Sequence, residues 1–248
     1  LLDDLKDFHV NRVFVEGTLV AEEGKYLPEI KKCDISSVKG SVIVKDFSKE
    51  KFKMNLKSNK VNVIKILPGG VVTAKDTAEI ELDANGEFVR NPGVDLVKVA
   101  VVERHQGTGN VACGFLKGYG IKEGAVALSV AHDSHNIIVV GVNDEEMEFA
   151  VNSLIEQEGG IVLVKEGKVI ESMPMPIAGL MSDQSGEWVD QKLTDIHEKA
   201  YEELGICGDV EPVMTLCFMS LAVIPEIKLT DMGLFDVTTF SFIPVEVE

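Results

Sequence analysis

The chain has 248 residues, of which 45% are hydrophobic, and this size and composition predict one large or two modest globular domains. It carries 24 basic and 41 acidic residues, and the formal net charge of −17 argues against nucleic acid as a partner because a polyanion would be repelled. No apolar run approaches the roughly 18 to 20 residues of a membrane-spanning helix, so the sequence also argues against a membrane partner.

The N-terminal residues 1–6 contain no initiator methionine, basic segment or apolar signal core, which predicts that the chain begins inside a longer protein. The four cysteines, Cys33, Cys113, Cys207 and Cys217, are too widely spaced for a metal knuckle. Each follows an apolar or strand-like pattern that is typical of buried, reduced thiols, so we expect a cytoplasmic protein.

The first predicted element is a hairpin over residues 9–24. Two short segments rich in β-branched residues flank the turn at Glu16 and Gly17. Residues 45–60 then bring a cluster of lysines with few apolar positions, the strongest change of composition in the chain. We place a domain boundary there, which divides the chain into residues 1–50 and 51–248.

The second domain is expected to contain a sheet, because short β-rich runs alternate with Gly, Pro and Asn turn signals. The runs that predict strands are 61–67, 71–73, 78–82, 96–103, 125–130, 136–141, 161–165 and 168–172. The last two flank Glu166-Gly167 and predict another hairpin.

Two helices are predicted within this β-rich region. The first spans about 143–158, with Asn143 as N-cap and Gly159 as the stop. The second spans about 186–204, where apolar residues recur at helical spacing before Gly205. Its buried stripe is expected to contain Val189, Leu193, Ile196, Ala200 and Leu204. Strands and helices mix without a regular βαβ repeat, so the predicted fold class is α+β.

Polar and titratable residues are concentrated in three segments near predicted strand ends: 103–110, 131–136 and 179–184. The second is the densest, because His132, Asp133, His135 and Asn136 stand between two apolar strands. These residues are candidates for hydrogen bonds to a heterocyclic substrate. Metal ligation is the alternative functional role, although the spacing matches no specific zinc motif. A purely structural role at a tight corner also remains open.

Other features have ordinary structural explanations beside functional ones. The glycines of 107–109 permit a tight turn, but neither a phosphate-binding loop nor a dinucleotide fingerprint is complete there. His197 on the polar face of the second helix is expected to be a surface or structural residue. The methionines of 173–176 and 214–219 could line an apolar pocket, although packing is their usual role.

Four segments, in this order, resemble the C-terminal region of bacterial and archaeal adenine deaminases of the amidohydrolase superfamily: 101–110 (VVERHQGTGN), 131–136 (AHDSHN), 176–183 (PIAGLMSD) and 224–231 (IPEIKLTD). Residues 1–8 and 13–21 also resemble the strands with which amidohydrolases complete their small β-sandwich. The resemblance covers essentially the whole chain. It implies that residues 1–50 end that sandwich and that residues 51–248 form a mixed sheet-and-helix C-terminal domain.

The resemblance further implies a parent enzyme that hydrolyses adenine to hypoxanthine and ammonia with a metal-activated hydroxide. Manganese or iron would be held in an upstream barrel, so we assign no catalytic residue or metal ligand to this chain and expect it to be inactive alone. Its role would be to cover or complete the active site. The candidate substrate-contacting or wall residues are His105, Thr108, Asn110, His132, Asp133, His135, Asn136, Ser182 and Asp183.

Two alternatives remain open from the sequence. The chain could be a non-catalytic module that completes the fold or mediates homodimer contacts, with its histidines serving structure. It could also be a small metal hydrolase that uses His105, His132, Asp133 and His135 as ligands.

Overall fold

The computed structural model describes residues 1–247, and the chain divides into two compact units, Leu1–Ser37 and Val38–Glu248. The division lies N-terminal to the boundary predicted after residue 50. The first unit is an antiparallel three-stranded sheet of β1 (Arg12–Val15), β2 (Thr18–Glu22) and β3 (Lys25–Tyr26). It contains the predicted hairpin, whose turn places both Glu16 and Gly17 at positive φ.

The second unit is built on one mixed eight-stranded sheet, which confirms the predicted α+β class. The sheet strands in chain order are β4 (Lys60–Ile66), β5 (Thr73–Glu79), β8 (Leu96–Val102), β9 (Val111–Lys117), β10 (Ala125–Leu128), β11 (Ile137–Gly141), β12 (Gly160–Lys165) and β13 (Lys168–Pro174), with a small ribbon of β6 (Glu81–Leu82) and β7 (Phe88–Val89) between β5 and β8. Their spatial order is β13-β12-β10-β11-β8-β9-β4-β5. Only the β4–β9 pair is parallel.

Three helices and a small second sheet complete the unit. They are α1 (Asp144–Glu156), α2 (Gly186–Glu202), α3 (Pro212–Cys217), β14 (Ile227–Thr230), β15 (Gly233–Asp236) and β16 (Ser241–Phe242). Every residue of β8, β10 and β11 is buried, because the central sheet is covered on both faces. Within residues 1–247, no helix is both long and apolar enough to cross a bilayer.

Helix α1 covers one face of the sheet, as its sequence predicts. The side-chain oxygen of Asn143 accepts from Glu146 N at 2.8 Å and caps the helix N-terminus. Met147, Ala150 and Leu154 are fully buried against the strands. Burial of each large side chain of this kind stabilises the fold by about 1.5 to 3 kcal/mol.

Helix α2 packs on the opposite face with α3 and the small sheet, but its apolar stripe is buried only in part. Ile196 and Ala200 are fully buried, whereas Val189 and Leu193 are half-buried. The difference from the predicted stripe arises because these two residues border a cavity instead of a packed core.

Two other sequence-based expectations need correction. Residues 71–72 lie in a turn, and the strand begins at Thr73. Cys33 and Cys207 are exposed instead of buried, because both lie in irregular segments outside the sheet; the cysteines of the chain are all unpaired.

Candidate functional site at one end of the sheet

The three polar segments found in the sequence emerge at the same end of the sheet. In the register, Val102 pairs with both Val111 and Ile137, so the connections 103–110 and 129–136 leave the sheet side by side. Gly160 pairs with Pro174 at the corresponding end of β12 and β13, where residues 175–184 follow. Antiparallel pairing therefore gathers loops that are distant in sequence.

Glu103 organises the first of these loops through its carboxylate. It accepts hydrogen bonds from the backbone amides of His105 (2.5 Å), Gln106 (2.8 Å) and Thr108 (2.9 Å), and from the Thr108 hydroxyl (3.0 Å). Burial alone would raise the pKa of Glu103, but these donors together outweigh it and lower the pKa to about 2. The carboxylate is therefore a structural anion, and Thr108 is already engaged with it.

Arg104 joins the other two loops from beneath, with only 1% of its surface exposed. Its Nε donates to His135 O (2.5 Å), Nη1 and Nη2 donate to Ala178 O (both 3.2 Å), and Nη2 donates to Ser129 O (3.3 Å). All these acceptors are backbone carbonyls. Burial of the guanidinium lowers its pKa to about 10, still far above neutrality.

An amide and carboxylate network connects these loops to the β14–β15 turn. Asn136 accepts from Arg104 N (3.3 Å) and donates to Asp231 Oδ1 (3.2 Å). Asn110 donates to Asp231 Oδ2 at 3.4 Å. Asp231 was not among the predicted site residues, although it ends the segment 224–231 and its place there was the only sequence signal for it.

The three histidines lie close together above this network. His132 packs on Phe218 and His135, with ring centroids 4.9 Å and 5.7 Å away. His105 Nε2 donates to Ser134 O at 2.7 Å. The buried Nδ1 of His135 has no hydrogen-bond partner among the described residues. Burial, reinforced by His132 and Arg104, lowers the pKa of His135, so its ring is neutral at pH 7.

The remaining predicted residues are more peripheral. Asp133 is exposed at the tip of its loop. Ser182 Oγ accepts from Gln184 N at 3.2 Å, and Asp183 lies 3.7 Å from Lys39 Nζ. Ser182 thus contacts a residue of its own loop, and Asp183 contacts Lys39. Arg104 connects their segment to the loop of residues 129–136, called here the histidine loop, through its hydrogen bonds to Ala178 O and His135 O.

One cavity borders this end of the sheet, and another of similar volume lies at the opposite end, where Gly141 pairs with Lys98. One, of about 550 Å³, lies between α2, α3 and the sheet, and it is lined by aliphatic and methionine side chains with His132 in its wall. The other, of about 510 Å³, lies at the start of α1 and is polar. Its charges pair with one another, as Lys98 with Asp144 (2.8 Å) and Lys49 with Glu145 (2.9 Å), so we regard the apolar cavity as the better ligand site.

The predicted metal-hydrolase set does not converge on one point. Within residues 1–247, no three His, Cys, Asp or Glu side chains lie close enough together to hold a metal ion. His105 is instead bonded to the backbone of the histidine loop. These residues therefore do not fit the manganese or iron that the resemblance implies.

Known proteins are similar to this chain over nearly its whole length. The family model described as "Adenine deaminase C-terminal domain" matches residues 70–241. The chain is 65% identical over 246 residues to "Adenine deaminase 2" of Desulfotalea psychrophila, covering 99% of this chain and 43% of that protein. It is 45% identical over 248 residues to "Adenine deaminase" of Ligilactobacillus salivarius, covering 100% of this chain and 43% of the relative. The chain thus spans less than half the length of these relatives.

Proposed function

The chain belongs to the adenine deaminase family, and on that premise we propose that it is the C-terminal part of an enzyme that hydrolyses adenine to hypoxanthine and ammonia. In this proposal residues 51–248 cover or complete an active site whose catalytic groups lie in the upstream part of the longer protein. The relatives are more than twice as long as the chain, which leaves room for such a part.

The observation that carries the proposal is the organisation of the histidine loop. Buried Glu103 and Arg104 fix the backbones on both sides of it, so His132 and His135 are held at one end of the sheet by a rigid support. The neutral imidazole of His135 can donate and accept hydrogen bonds to an uncharged heterocycle. The proposed role of His132 and His135 is to orient adenine.

The N-terminal unit supports an upstream neighbour on separate grounds. None of residues 1–37 is buried, and Phe14 and Val15 on its first strand are 47% and 55% exposed. A three-stranded sheet without a buried face is not expected to be stable by itself. We propose that the missing part of the longer protein covers it, as the end of the amidohydrolase β-sandwich requires.

Metal chemistry is assigned to that missing part. When bound, manganese or iron would supply an activated hydroxide for attack on the ring carbon that bears the amino group. The described residues of this chain contain no ligand set for it, so we derive no catalytic step from them. The isolated chain is accordingly proposed to be inactive, and its unpaired cysteines support a cytoplasmic location.

The test compares His132→Ala and His135→Ala in a protein that carries both this chain and the upstream region. Loss of hydrogen bonds to adenine should lower kcat/KM about tenfold or more, since one such bond contributes on the order of 1.5 kcal/mol. His9→Ala is the matched control, because His9 is exposed in the first unit and bonded to Asp3. If both loop variants stay within twofold of the parent, the loop does not contact substrate.

A second measurement tests whether catalysis requires the upstream region. Ammonia release from adenine, with manganese or iron added, is expected only when the upstream region is present. Release by the 248-residue chain alone would overturn the assignment of the metal to the missing part.

A structural or homodimer-forming module is the second candidate, and one observation favours it. The loop already uses its groups internally, with His105 bonded to Ser134 O and the His135 carbonyl bonded to Arg104. Under this alternative, the histidine variants change the free energy of unfolding or the oligomeric state without a specific effect on kcat/KM.

A further inference from the structure

The apolar cavity between α2 and α3 is open to solvent on one side, where its lining residue Met214 is 54% exposed. Its volume of about 550 Å³ lies within the range of small-molecule pockets. Met173 and Met175 at the end of β13, Leu193 on α2 and Met214 on α3 contribute much of its lining. Val189 and Leu193 remain only half-buried because they line the cavity.

The polar groups of the cavity are few, and they include the Thr215 hydroxyl of α3. His132 contributes at the side of the histidine loop, while His197 of α2 and Glu211 at the start of α3 face each other. His197 Nε2 lies 2.5 Å from Glu211 Oε1, but the two atoms are not aligned for a hydrogen bond, and within residues 1–247 the buried Nε2 has no other partner. Glu211 Oε2 caps α3 by accepting from Met214 N.

These features define the chemistry of a ligand. Flexible methionine side chains adapt to flat rings and make favourable sulfur–aromatic contacts. Glu211 Oε1 can accept a hydrogen bond from a ring N–H or amino group, and His197 can donate or accept beside it. Among the described residues that line the cavity there is no Lys or Arg, so nothing there would neutralise a phosphate.

We propose that this cavity is a binding site for a neutral planar nitrogen heterocycle that carries an N–H or amino donor. A free nucleobase fits this description, whereas a nucleotide does not. The inference goes beyond the proposed function, because binding here requires neither a metal nor the upstream region. The family relationship enters only in the choice of adenine as the probe.

The experiment follows the methionine methyl groups by NMR in the 248-residue chain, labelled with 13C at those methyls, during titration with adenine. Saturable shifts are expected for Met173, Met175 and Met214, while Met147 on the opposite face of the sheet stays unchanged. For a ligand of about ten heavy atoms, a Kd between roughly 10 µM and 1 mM is expected. Adenosine monophosphate should bind at least tenfold more weakly.

Two matched pairs of variants locate the site. Leu193→Trp narrows the cavity and should weaken adenine binding, whereas Val169→Trp adds the same ring on the exposed part of β13 and should not. Glu211→Gln should weaken binding about tenfold by removing the charged acceptor, and Glu198→Gln on the exposed face of α2 should leave the Kd unchanged. If Leu193→Trp does not fold, the glutamate pair decides the question.

Each outcome bears on the proposal. The proposal is overturned if Met173, Met175 and Met214 show no saturable shift at adenine concentrations up to several times the expected Kd. Equal binding of adenosine monophosphate would overturn it as well. Shifts confined to Met181 or Met232, which belong to the loops around the histidines, would also overturn it while leaving the proposed function intact. Conversely, adenine binding at the cavity, together with unchanged kcat/KM in His132→Ala and His135→Ala, would support the cavity and refute substrate contact by the histidine loop.

Discussion

Replacement of Arg104 by lysine is expected to destabilise the fold although it preserves the charge. Arg104 pairs with the carbonyls of Ser129, His135 and Ala178 through a planar fork of N–H donors. A lysine ammonium is a single point that cannot reach three separated acceptors in this arrangement. At least one or two buried carbonyls would therefore lose their partner.

The magnitude follows from two opposing terms. Each buried carbonyl left unpaired costs about 1 to 3 kcal/mol, which gives a loss of roughly 3 kcal/mol for Arg104→Lys. Arg104→Met unpairs all three carbonyls but also removes a buried cation. The fall of the Arg104 pKa from 12.5 to about 10 corresponds to a desolvation cost of about 3 kcal/mol, which that variant recovers. The two variants should therefore be similarly unstable.

Equilibrium urea unfolding followed by circular dichroism measures these differences, with Arg12→Lys as the control. Arg12 is exposed and paired with Glu22 at 2.7 Å, so its replacement should change the free energy of unfolding by less than about 0.5 kcal/mol. The reasoning is wrong if Arg104→Lys stays within about 1 kcal/mol of the parent. It also fails if Arg104→Met is more than about 2 kcal/mol less stable than Arg104→Lys, because the charge would then matter more than the planar arrangement of N–H donors.

Two further outcomes follow from the titration and exposure of single residues. Because the folded pKa of Glu103 is about 2, below its ordinary 4.5, its contribution of up to about 3 kcal/mol is present above pH 4.5 and is lost as the pH falls towards 2. In acid unfolding, Glu103→Gln should lose less free energy of unfolding between pH 4.5 and 2 than the parent. Equal losses would contradict the assignment of Glu103 as a structural anion. Ellman's reagent should label the exposed Cys33 and Cys207 quickly in the native chain. Burial raises the pKa of Cys113 and Cys217 to about 12, so these two thiols should react only on unfolding. Fast labelling of all four thiols would contradict this.

The parts of the fold that could be predicted from sequence are those with strong local signals. Helix α1 has a capping Asn143, acidic residues in its first turn and a regular apolar stripe, and it forms as predicted. The hairpin at Glu166-Gly167 likewise forms between β12 and β13. Strand β9 (Val111–Lys117) was missed, because Cys113 and Gly114 interrupt its β-branched pattern and its pairing with β4 and β8 depends on distant residues.

At the candidate site, sequence reasoning identified loops more reliably than contacts. The density of polar residues in 131–136 was visible, and strand pairing brings it beside 103–110. Nothing local indicated that Glu103 would bond backbone amides in its own loop while Arg104 bonds carbonyls in two others. Two adjacent residues of opposite charge suggest an ion pair, whereas tertiary structure separates them to opposite sides of the chain.

The separate roles of Glu103 and Arg104 explain how this end of the sheet can present groups for function. The carboxylate satisfies amides on one side, the guanidinium satisfies carbonyls on the other, and Asn136 connects both regions to Asp231. Because backbone groups are satisfied by these residues, the loops keep a fixed shape without using the imidazoles of His132 and His135 as their main support. Buried charges are costly, and a loop that only had to turn would not require two of them. Their concentration beneath the histidines therefore supports a role in positioning those side chains for a ligand.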